Sequence, residues 1–275
     1  MKAKVGIIGY GRMGSAIAER IREYYEVIVF DTDSRKISGL TGLTPAADIA
    51  ALAQTADTLI LAVKPQDFEQ VLPVILAAGS GNILIISIAA GVTLGYLRQA
   101  LGHERLIRAM PNLAARIGRG VTAITCGADV SGEDIRQAER IFQSLGATLT
   151  VGEEMMDAVT AVSGSGPGFL CALLEEQPRD KWQEFAERVF IVYLREAALH
   201  CGFDEETASL LVEETARGTL DLLEITGISP AELRSQVTSK GGTTAAGLQV
   251  LQGNIHNLVD AVGAARARAQ ELSKR

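Results

Sequence analysis

Three glycines near the start of the chain constrain its fold more than any other feature. Gly9, Gly11 and Gly14 stand in the segment GIIGYGRMG, directly after the apolar run KVGII. The spacing GxGxxG between a strand and a helix is typical of dinucleotide-binding proteins. The first glycine makes a tight turn, the second lets the pyrophosphate approach the backbone, and the third lets the helix pack on the strand. A glycine-rich turn in another kind of α/β protein can have the same glycine spacing. The sequence around the motif therefore has to distinguish the two interpretations.

That context is an alternation of short apolar runs with longer stretches. KVGIIG, EVIVFD, TLILAV and ILIISI are separated by segments long enough for helices, which is the pattern of a parallel sheet covered on both faces. The second run ends with Asp31, at about the spacing of ~20 residues where an acidic residue binds the adenosine ribose. The first half therefore predicts a doubly wound Rossmann α/β domain that binds a dinucleotide.

Helical periodicity replaces the alternation in the second half. In KWQEFAERVFIVYLREAALHCG and SLLVEETARGTLDLLEI, apolar side chains recur at helical spacing in wide stripes. Helices this apolar, with few strands to pack on, favour association with a second copy of the chain. We predict a dinucleotide-binding Rossmann domain over residues 1–154 and an all-helical dimerisation and substrate domain over residues 155–275.

The composition of the chain limits the kinds of molecule that it is expected to bind. The net charge of −7 and the 5% of aromatic residues argue against a nucleic-acid surface, because phosphate binding needs clustered Lys and Arg. The longest strongly apolar run, ILIISIAAGV, is shorter than the roughly 20 residues that span a bilayer. A strand begins within the first residues, so we expect no targeting segment. Cys126, Cys171 and Cys201 lack a CxxC pattern, which disfavours a disulfide frame and a metal site. We expect a cytoplasmic protein with a small-molecule partner, and no nucleic acid, membrane or metal.

Five further strings give the chain a specific resemblance. They are LAVKPQ (61–66), SIAAGV (87–92), IRAMPN (107–112), DAVTAVSGSGPGF (157–169) and VTSKGGTTAAGL (237–248). Their order and spacing resemble the pyrroline-5-carboxylate reductase family over nearly the whole chain. The resemblance implies reduction of 1-pyrroline-5-carboxylate to L-proline by NADH or NADPH. It also implies a Rossmann domain followed by a helical domain that interlocks with its twofold mate as a homodimer, and it leaves a larger ring of dimers open.

The last of these strings predicts an anion site. SPAELRSQV has the pattern of a helix with Ser229 as its cap, and TTAAGLQVLQ predicts a new helix whose N-terminal amides attract anions. A Gly-Gly hinge between two helices explains the same letters without a ligand. The resemblance implies that the anion is the substrate carboxylate and that Thr244 is the catalytic hydroxyl near the ring nitrogen. The substrate-binding residues that it implies are Ser239, Gly241, Gly242 and Thr243.

The resemblance also implies a set of cofactor-binding residues in the glycine motif, after strands and in the MPN loop. They are Gly9, Gly11, Arg12, Met13, Gly14, Asp31, Ala62, Lys64, Pro65, Ala89, Ala90 and Asn112. Lys64 taken alone is also explained as a solvated cation after a strand.

The stretch FDTDSRK bears on the choice of cofactor. Members of the family that favour NADPH often carry an asparagine-arginine pair here, whereas this chain has Asp31 and Asp33. A carboxylate accepts hydrogen bonds from ribose hydroxyls but repels a 2′-phosphate, so we predict that NADH is favoured. Arg35 and Lys36 oppose this prediction if they turn toward the phosphate, and support it if they are solvated cations on a helix face.

Three departures from the family pattern leave alternatives open. Lys240 stands where many members have proline, Ile228 stands where members tend to have glutamate, and residues 177–192 read as roughly one additional helix. A non-catalytic or regulatory paralogue and a reductase of a related cyclic imine therefore remain as alternative functions.

Overall fold

Eight strands form one sheet in the computed structural model, which describes residues 2–79 and 83–274. The strands are β1 (Lys4–Ile8), β2 (Glu26–Phe30), β3 (Thr44–Pro45), β4 (Thr58–Leu61), β5 (Leu84–Ser87), β6 (Leu106–Pro111), β7 (Gly120–Cys126) and β8 (Gly146–Thr150). Their order is β3-β2-β1-β4-β5-β6-β7-β8, and the pairings from β3 to β6 are parallel. This order reverses direction beside β1, as in a doubly wound sheet, and the predicted Rossmann class is confirmed.

The helices of the N-terminal part bury their apolar faces against this sheet. They are α1 (Arg12–Ile21), α2 (Ile49–Thr55), α3 (Phe68–Ala77), α4 (Leu94–Leu101) and α5 (Gly132–Gln143). Phe68, Leu59 and Ile85 are fully buried in the core between sheet and helices. At the start of α5, Ser131 and Asp134 exchange hydrogen bonds in a capping box, and their three-residue spacing is the sequence pattern of that motif.

The C-terminal part is helical, as predicted. Its helices are α6 (Met156–Val159), α7 (Gly166–Leu174), α8 (Trp182–Phe185), α9 (Ile191–His200), α10 (Glu205–Thr226), α11 (Pro230–Val237), α12 (Thr243–Leu251) and α13 (Leu258–Ser273). Two π-helical turns, Thr160–Gly164 and Ala186–Phe190, connect α6 with α7 and α8 with α9.

The chain divides into two compact units. The first comprises Met1–Ala109 with Ile124–Glu153, and the second comprises Met110–Ala123 with Glu154–Arg275. This division differs from the predicted ranges 1–154 and 155–275 mainly in residues 110–123, which pack with the second unit. The close approach of α10 explains this packing: a Cβ at Gly218 would overlap the carbonyl oxygen of Arg119 and lie 2.8 Å from Cβ of Ala114.

One helical run is long and apolar enough to cross a membrane by length and composition. It is Glu153–Leu174, with a mean hydropathy of 1.2 over its most apolar stretch. Because 83% of that stretch is buried inside the structure, the run has the environment of a core helix.

Candidate active site

The glycine motif forms a loop between β1 and α1 in which the three glycines have different surroundings. Gly9 adopts a φ of +99°, and a Cβ there would lie 2.7 Å from the carbonyl oxygen of Ala62. A Cβ at Gly14 would overlap the carbonyl oxygen of Gly9. Beyond its chain neighbours, a Cβ at Gly11 would meet no atom of the described residues within 4 Å. Packing therefore explains Gly9 and Gly14, whereas the open space at Gly11 fits the close approach of a pyrophosphate.

Asp31 follows β2, and three donors hold its carboxylate. The backbone N–H of Tyr10 donates at 2.8 Å, that of Asp33 at 2.9 Å, and the Lys36 ammonium at 3.1 Å. Burial raises the pKa of Asp31, but the three donors outweigh burial and hold that pKa below its usual value. The carboxylate is therefore ionised and oriented at the end of β2, as ribose binding requires.

The two cations after Asp33 turn back onto the aspartates. Arg35 donates to Asp33 from Nε at 2.8 Å and from Nη2 at 3.0 Å, while Lys36 reaches both carboxylate oxygens of Asp31, at 3.1 and 3.3 Å. Each aspartate thus has a cation beside it, whereas the sequence predicted either a turn toward a 2′-phosphate or solvated cations on a helix face.

The other predicted cofactor residues of the first unit lie at the carboxyl edge of the sheet. They follow β1, β4 and β5, which are neighbouring parallel strands. The residues are Arg12 and Met13 after β1, Ala62, Lys64 and Pro65 after β4, and Ala89 and Ala90 after β5. Since dinucleotides bind in the crevice outside the carboxyl ends of such strands, these positions suit a cofactor site.

Asn112 belongs to the second unit. Its side chain is 2% exposed, and Oδ1 accepts a hydrogen bond from the Val121 N–H at 3.3 Å. Nδ2 is buried and has no hydrogen-bond partner among the described residues. An unsatisfied buried amide is costly, so a ligand that accepts a hydrogen bond fits this position.

The Gly-Gly stretch connects α11 with α12 through a tight turn. The N–H of Gly242 donates to the carbonyl oxygen of Ser239 at 3.0 Å, and Gly241 adopts a φ of +69°. A Cβ at Gly242 would overlap Oγ of Ser239. Gly242 is the N-cap of α12 and supplies no side chain to the first amides of that helix. Ser229, the predicted cap of the preceding helix, forms a capping box with Glu232.

A cluster of buried hydroxyl groups lies at the start of α12. Oγ1 of Thr244, a residue 3% exposed, donates to Oγ of Ser165 at 3.2 Å. Oγ of Ser165 lies 3.1 Å from Oγ1 of Thr243 and donates to the carbonyl oxygen of Thr160 at 3.3 Å. Ser165 is fully buried. The sequence placed Ser165 inside the SGSGP string but assigned it no role, because nothing local indicates that it meets Thr244.

Arg268 of α13 is a cation that contacts the Gly-Gly turn. Its Nε donates to the carbonyl oxygen of Gly241 at 2.7 Å, and its Nη1 pairs with Glu271 at 2.6 Å. Lys240 is exposed. Sequence reasoning considered only Lys240 as a charge near this turn, and no local pattern pointed to Arg268.

Neither metal-binding clusters nor paired cysteines occur in the part of the chain that the structure describes. No group of three or more His, Cys, Asp or Glu residues within 2–79 and 83–274 could hold a metal ion. The three cysteines are free, and burial raises the pKa of the Cys171 thiol to about 12, so this thiol is not a nucleophile at neutral pH.

Fold and site together define an NAD(P)-dependent oxidoreductase with a helical second unit. A family model described as "NADP oxidoreductase coenzyme F420-dependent" matches residues 4–91, and one described as "Pyrroline-5-carboxylate reductase dimerisation" matches residues 188–272. The pyrroline-5-carboxylate reductase of Synechocystis sp. is 35% identical, with 100% of both chains covered. The solved structure of the Coxiella burnetii pyrroline-5-carboxylate reductase is 30% identical, with 100% of both chains covered and a TM-score of 0.65. That of the Plasmodium falciparum pyrroline carboxylate reductase with NADP bound is 27% identical, with 98% of both chains covered and a TM-score of 0.63. The chain belongs to the pyrroline-5-carboxylate reductase family.

Proposed function

We propose that this chain reduces 1-pyrroline-5-carboxylate to L-proline with NADH or NADPH, and that Thr244 is its catalytic hydroxyl. The observation that carries the proposal is the buried Thr244 hydroxyl beside a helix N-terminus without a side-chain cap. The chain that contains them matches named pyrroline-5-carboxylate reductases over its full length.

The turn before α12 supplies the carboxylate site of this proposal. The first amides of a helix point outward and carry partial positive charge, so they attract a carboxylate. Gly241 and Gly242 leave room for that carboxylate because they carry no side chain, Ser239 offers a hydroxyl donor, and the backbone N–H of Thr243 is one of the first amides of α12. Arg268 holds the Gly241 carbonyl oxygen and thereby keeps the turn in one conformation.

Binding of the dinucleotide is proposed for the carboxyl edge of the sheet. Gly9, Gly11 and Gly14 form the pyrophosphate loop, Asp31 meets the ribose, and Lys64 lies after β4. The reduced nicotinamide, when bound, supplies the hydride. The chain itself orients the ring through Thr244 and excludes water by burial, and a protonated imine already carries the proton that a general acid would supply.

Substitution of Thr244 tests the proposal. Thr244→Val keeps the volume of the side chain but removes the hydroxyl, and we expect kcat to fall ~100-fold while the Kd for the cofactor stays unchanged. Thr244→Ser keeps the hydroxyl and is the matched control, with kcat within about 5-fold of the wild type. The readout is oxidation of NADH and NADPH in the presence of 1-pyrroline-5-carboxylate. No turnover by folded wild type with either cofactor would overturn the function. Equal kcat for the valine and serine variants would overturn only the role of Thr244.

A modest preference for NADH is the finer part of the proposal. The Asp31 carboxylate is fixed by two backbone donors and is 9% exposed, whereas the Lys36 side chain is 47% exposed and its charge is screened by water. The repulsion between Asp31 and a 2′-phosphate is therefore stronger than the attraction between Lys36 and that phosphate. We expect Asp31→Ser to narrow or reverse the preference and Lys36→Ala to widen it, as measured by kcat/KM for both cofactors. A wild type that favours NADPH would contradict this reasoning.

Homodimer formation through the helical unit completes the proposal. Apolar side chains on α9 and α10 are exposed in the single chain, among them Val192 at 54%, Leu210 at 39% and Ile225 at 65%. A second copy that covers them would bury this surface. Light scattering on the purified protein will distinguish a monomer, a dimer and a larger ring of dimers. The cytoplasmic location stays a prediction.

A further inference from the structure

The hydroxyl groups around Thr244 are ordered in one direction by a backbone carbonyl. The carbonyl oxygen of Thr160 can only accept hydrogen bonds, and Oγ of Ser165 donates to it at 3.3 Å. A serine hydroxyl has one hydrogen, so Ser165 must accept from its other partners. Thr244 donates to it at 3.2 Å, and Thr243 lies at 3.1 Å. The single hydroxyl hydrogen of Thr244 is therefore used within the protein.

The π-helical turn Thr160–Gly164 produces this arrangement. In a π turn the N–H of a residue bonds the carbonyl five positions earlier. Accordingly, the N–H of Ser165 donates to the Thr160 carbonyl oxygen at 3.0 Å, so that the backbone and the side chain of Ser165 share one acceptor. Ser165 is fully buried and Thr244 is 3% exposed, so water has little access to reorient either hydroxyl.

We propose that Ser165 is a positioning residue that makes Thr244 a hydrogen-bond acceptor toward the ring nitrogen of the substrate. The inference rests on the proposed function and adds the protonation state that the site selects. A neutral imine nitrogen presents a lone pair and is repelled by the lone pairs of Oγ1. A protonated imine presents an N–H and donates to that oxygen. The site therefore binds the cationic, N–H-bearing form of a cyclic imine.

Because the imine binds already protonated, hydride transfer needs no proton from the chain. The new C–H bond forms at the imine carbon, and the π electron pair of the C=N bond becomes the lone pair of the amine nitrogen. The proton already on nitrogen stays there, so Thr244 only holds it. The amine takes up its second proton from solvent after release.

Equilibrium binding of two ring analogues tests the direction of the Thr244 hydroxyl without turnover. L-Proline presents N–H donors, whereas tetrahydrofuran-2-carboxylate keeps the ring and the carboxylate but has an oxygen that only accepts. Both are titrated calorimetrically into the full chain with NADH present. Ser165→Ala frees the Thr244 hydrogen, so we expect the preference for proline over the ether to fall about 10-fold from its wild-type value, the size of one hydrogen bond to a charged group.

Ser163→Ala is the matched control. Ser163 lies in the same π turn, is fully buried and has no hydrogen-bond partner for its hydroxyl among the described residues. This variant should keep the wild-type ratio. An unchanged ratio in Ser165→Ala, or the same fall in both variants, would overturn the inference.

The pH profile of the wild type gives a test that does not depend on a variant folding. If the site selects the protonated imine, kcat/KM for 1-pyrroline-5-carboxylate falls as pH rises through the pKa of the free imine. A profile that is flat or rising through that pKa overturns the inference while leaving the proposed function intact. Absence of both turnover and proline binding in folded wild type would instead overturn the proposed function.

Discussion

Substitution of Gly11 distinguishes a role in folding from a role in cofactor binding. Its φ of −82° and ψ of −165° are accessible to alanine, and a Cβ there would meet no atom of the described residues within 4 Å beyond the chain neighbours. Alanine at a compatible backbone position stabilises a protein by ~0.4–1 kcal/mol through the unfolded state. Loss of glycine at the N-cap of α1 costs about as much. We therefore expect Gly11→Ala to leave the free energy of unfolding within about 1 kcal/mol of the wild type.

Cofactor binding should respond differently. A methyl group in the open space at Gly11 would hold a pyrophosphate away from the loop, and each lost hydrogen bond to a charged group is worth ~1.5–3 kcal/mol. Loss of one such bond raises Kd for NADH and NADPH roughly 10- to 100-fold.

Gly9→Ala is the contrasting variant, because Gly9 has a φ of +99° and its Cβ would lie 2.7 Å from the Ala62 carbonyl oxygen. The left-handed backbone and the overlap together cost about 2–4 kcal/mol, which lowers Tm by roughly 5–15 °C. Thermal unfolding without cofactor measures stability, and quenching of intrinsic fluorescence by NADH and NADPH measures binding. The reasoning is refuted if Gly11→Ala binds cofactor like the wild type, or if it loses as much stability as Gly9→Ala.

Three further predictions concern contacts that each lie within a single unit. Arg268→Met should raise the substrate KM about 5-fold with kcat within 2-fold of the wild type, because the Gly-Gly turn loses a charge-assisted hydrogen bond. Glu271→Gln keeps the bond from Arg268 to Gly241 and should not change KM. Steady-state kinetics that give both variants the same KM would contradict this role of Arg268. Gly218→Ala should lower the free energy of unfolding, measured in urea, by ~1–3 kcal/mol, because the new Cβ overlaps the carbonyl oxygen of Arg119. This cost exceeds the gain from the higher helix propensity of alanine. A variant as stable as the wild type would refute the close packing of α10 on Arg119. The hydrogen bond from Arg105 lowers the pKa of Asp134 from 3.8 to about 2, so the stabilisation by the ionised carboxylate is present above pH 3.8 and is lost as pH falls toward 2. Asp134→Asn should remove about 1 kcal/mol of this acid dependence between pH 6 and pH 3 in urea unfolding, and equal pH slopes for variant and wild type would argue against it.

The sequence alone determined the features that depend on residues close together in the chain. The glycine spacing and the alternation of apolar runs led to the Rossmann class, because backbone conformation and one-sided burial are set within a few residues. The two capping boxes, at Ser131 and at Ser229, were predictable for the same reason: each joins side chains three positions apart. The motif strings also placed the Gly-Gly turn at the start of a new helix.

Only the tertiary structure decided which distant side chains meet. Ser165 and Thr244 are 79 positions apart, and the 27 positions between Gly241 and Arg268 likewise carry no signal of their hydrogen bond. Residues 110–123 belong to the second unit, where Arg119 approaches Gly218 of α10 closely, although residues of the first unit precede and follow them in the chain. Local propensities act over a few residues, whereas the direction of the Thr244 hydroxyl depends on a carbonyl in another helical segment. The packing of the helices brings that carbonyl near, and a linear pattern does not record it.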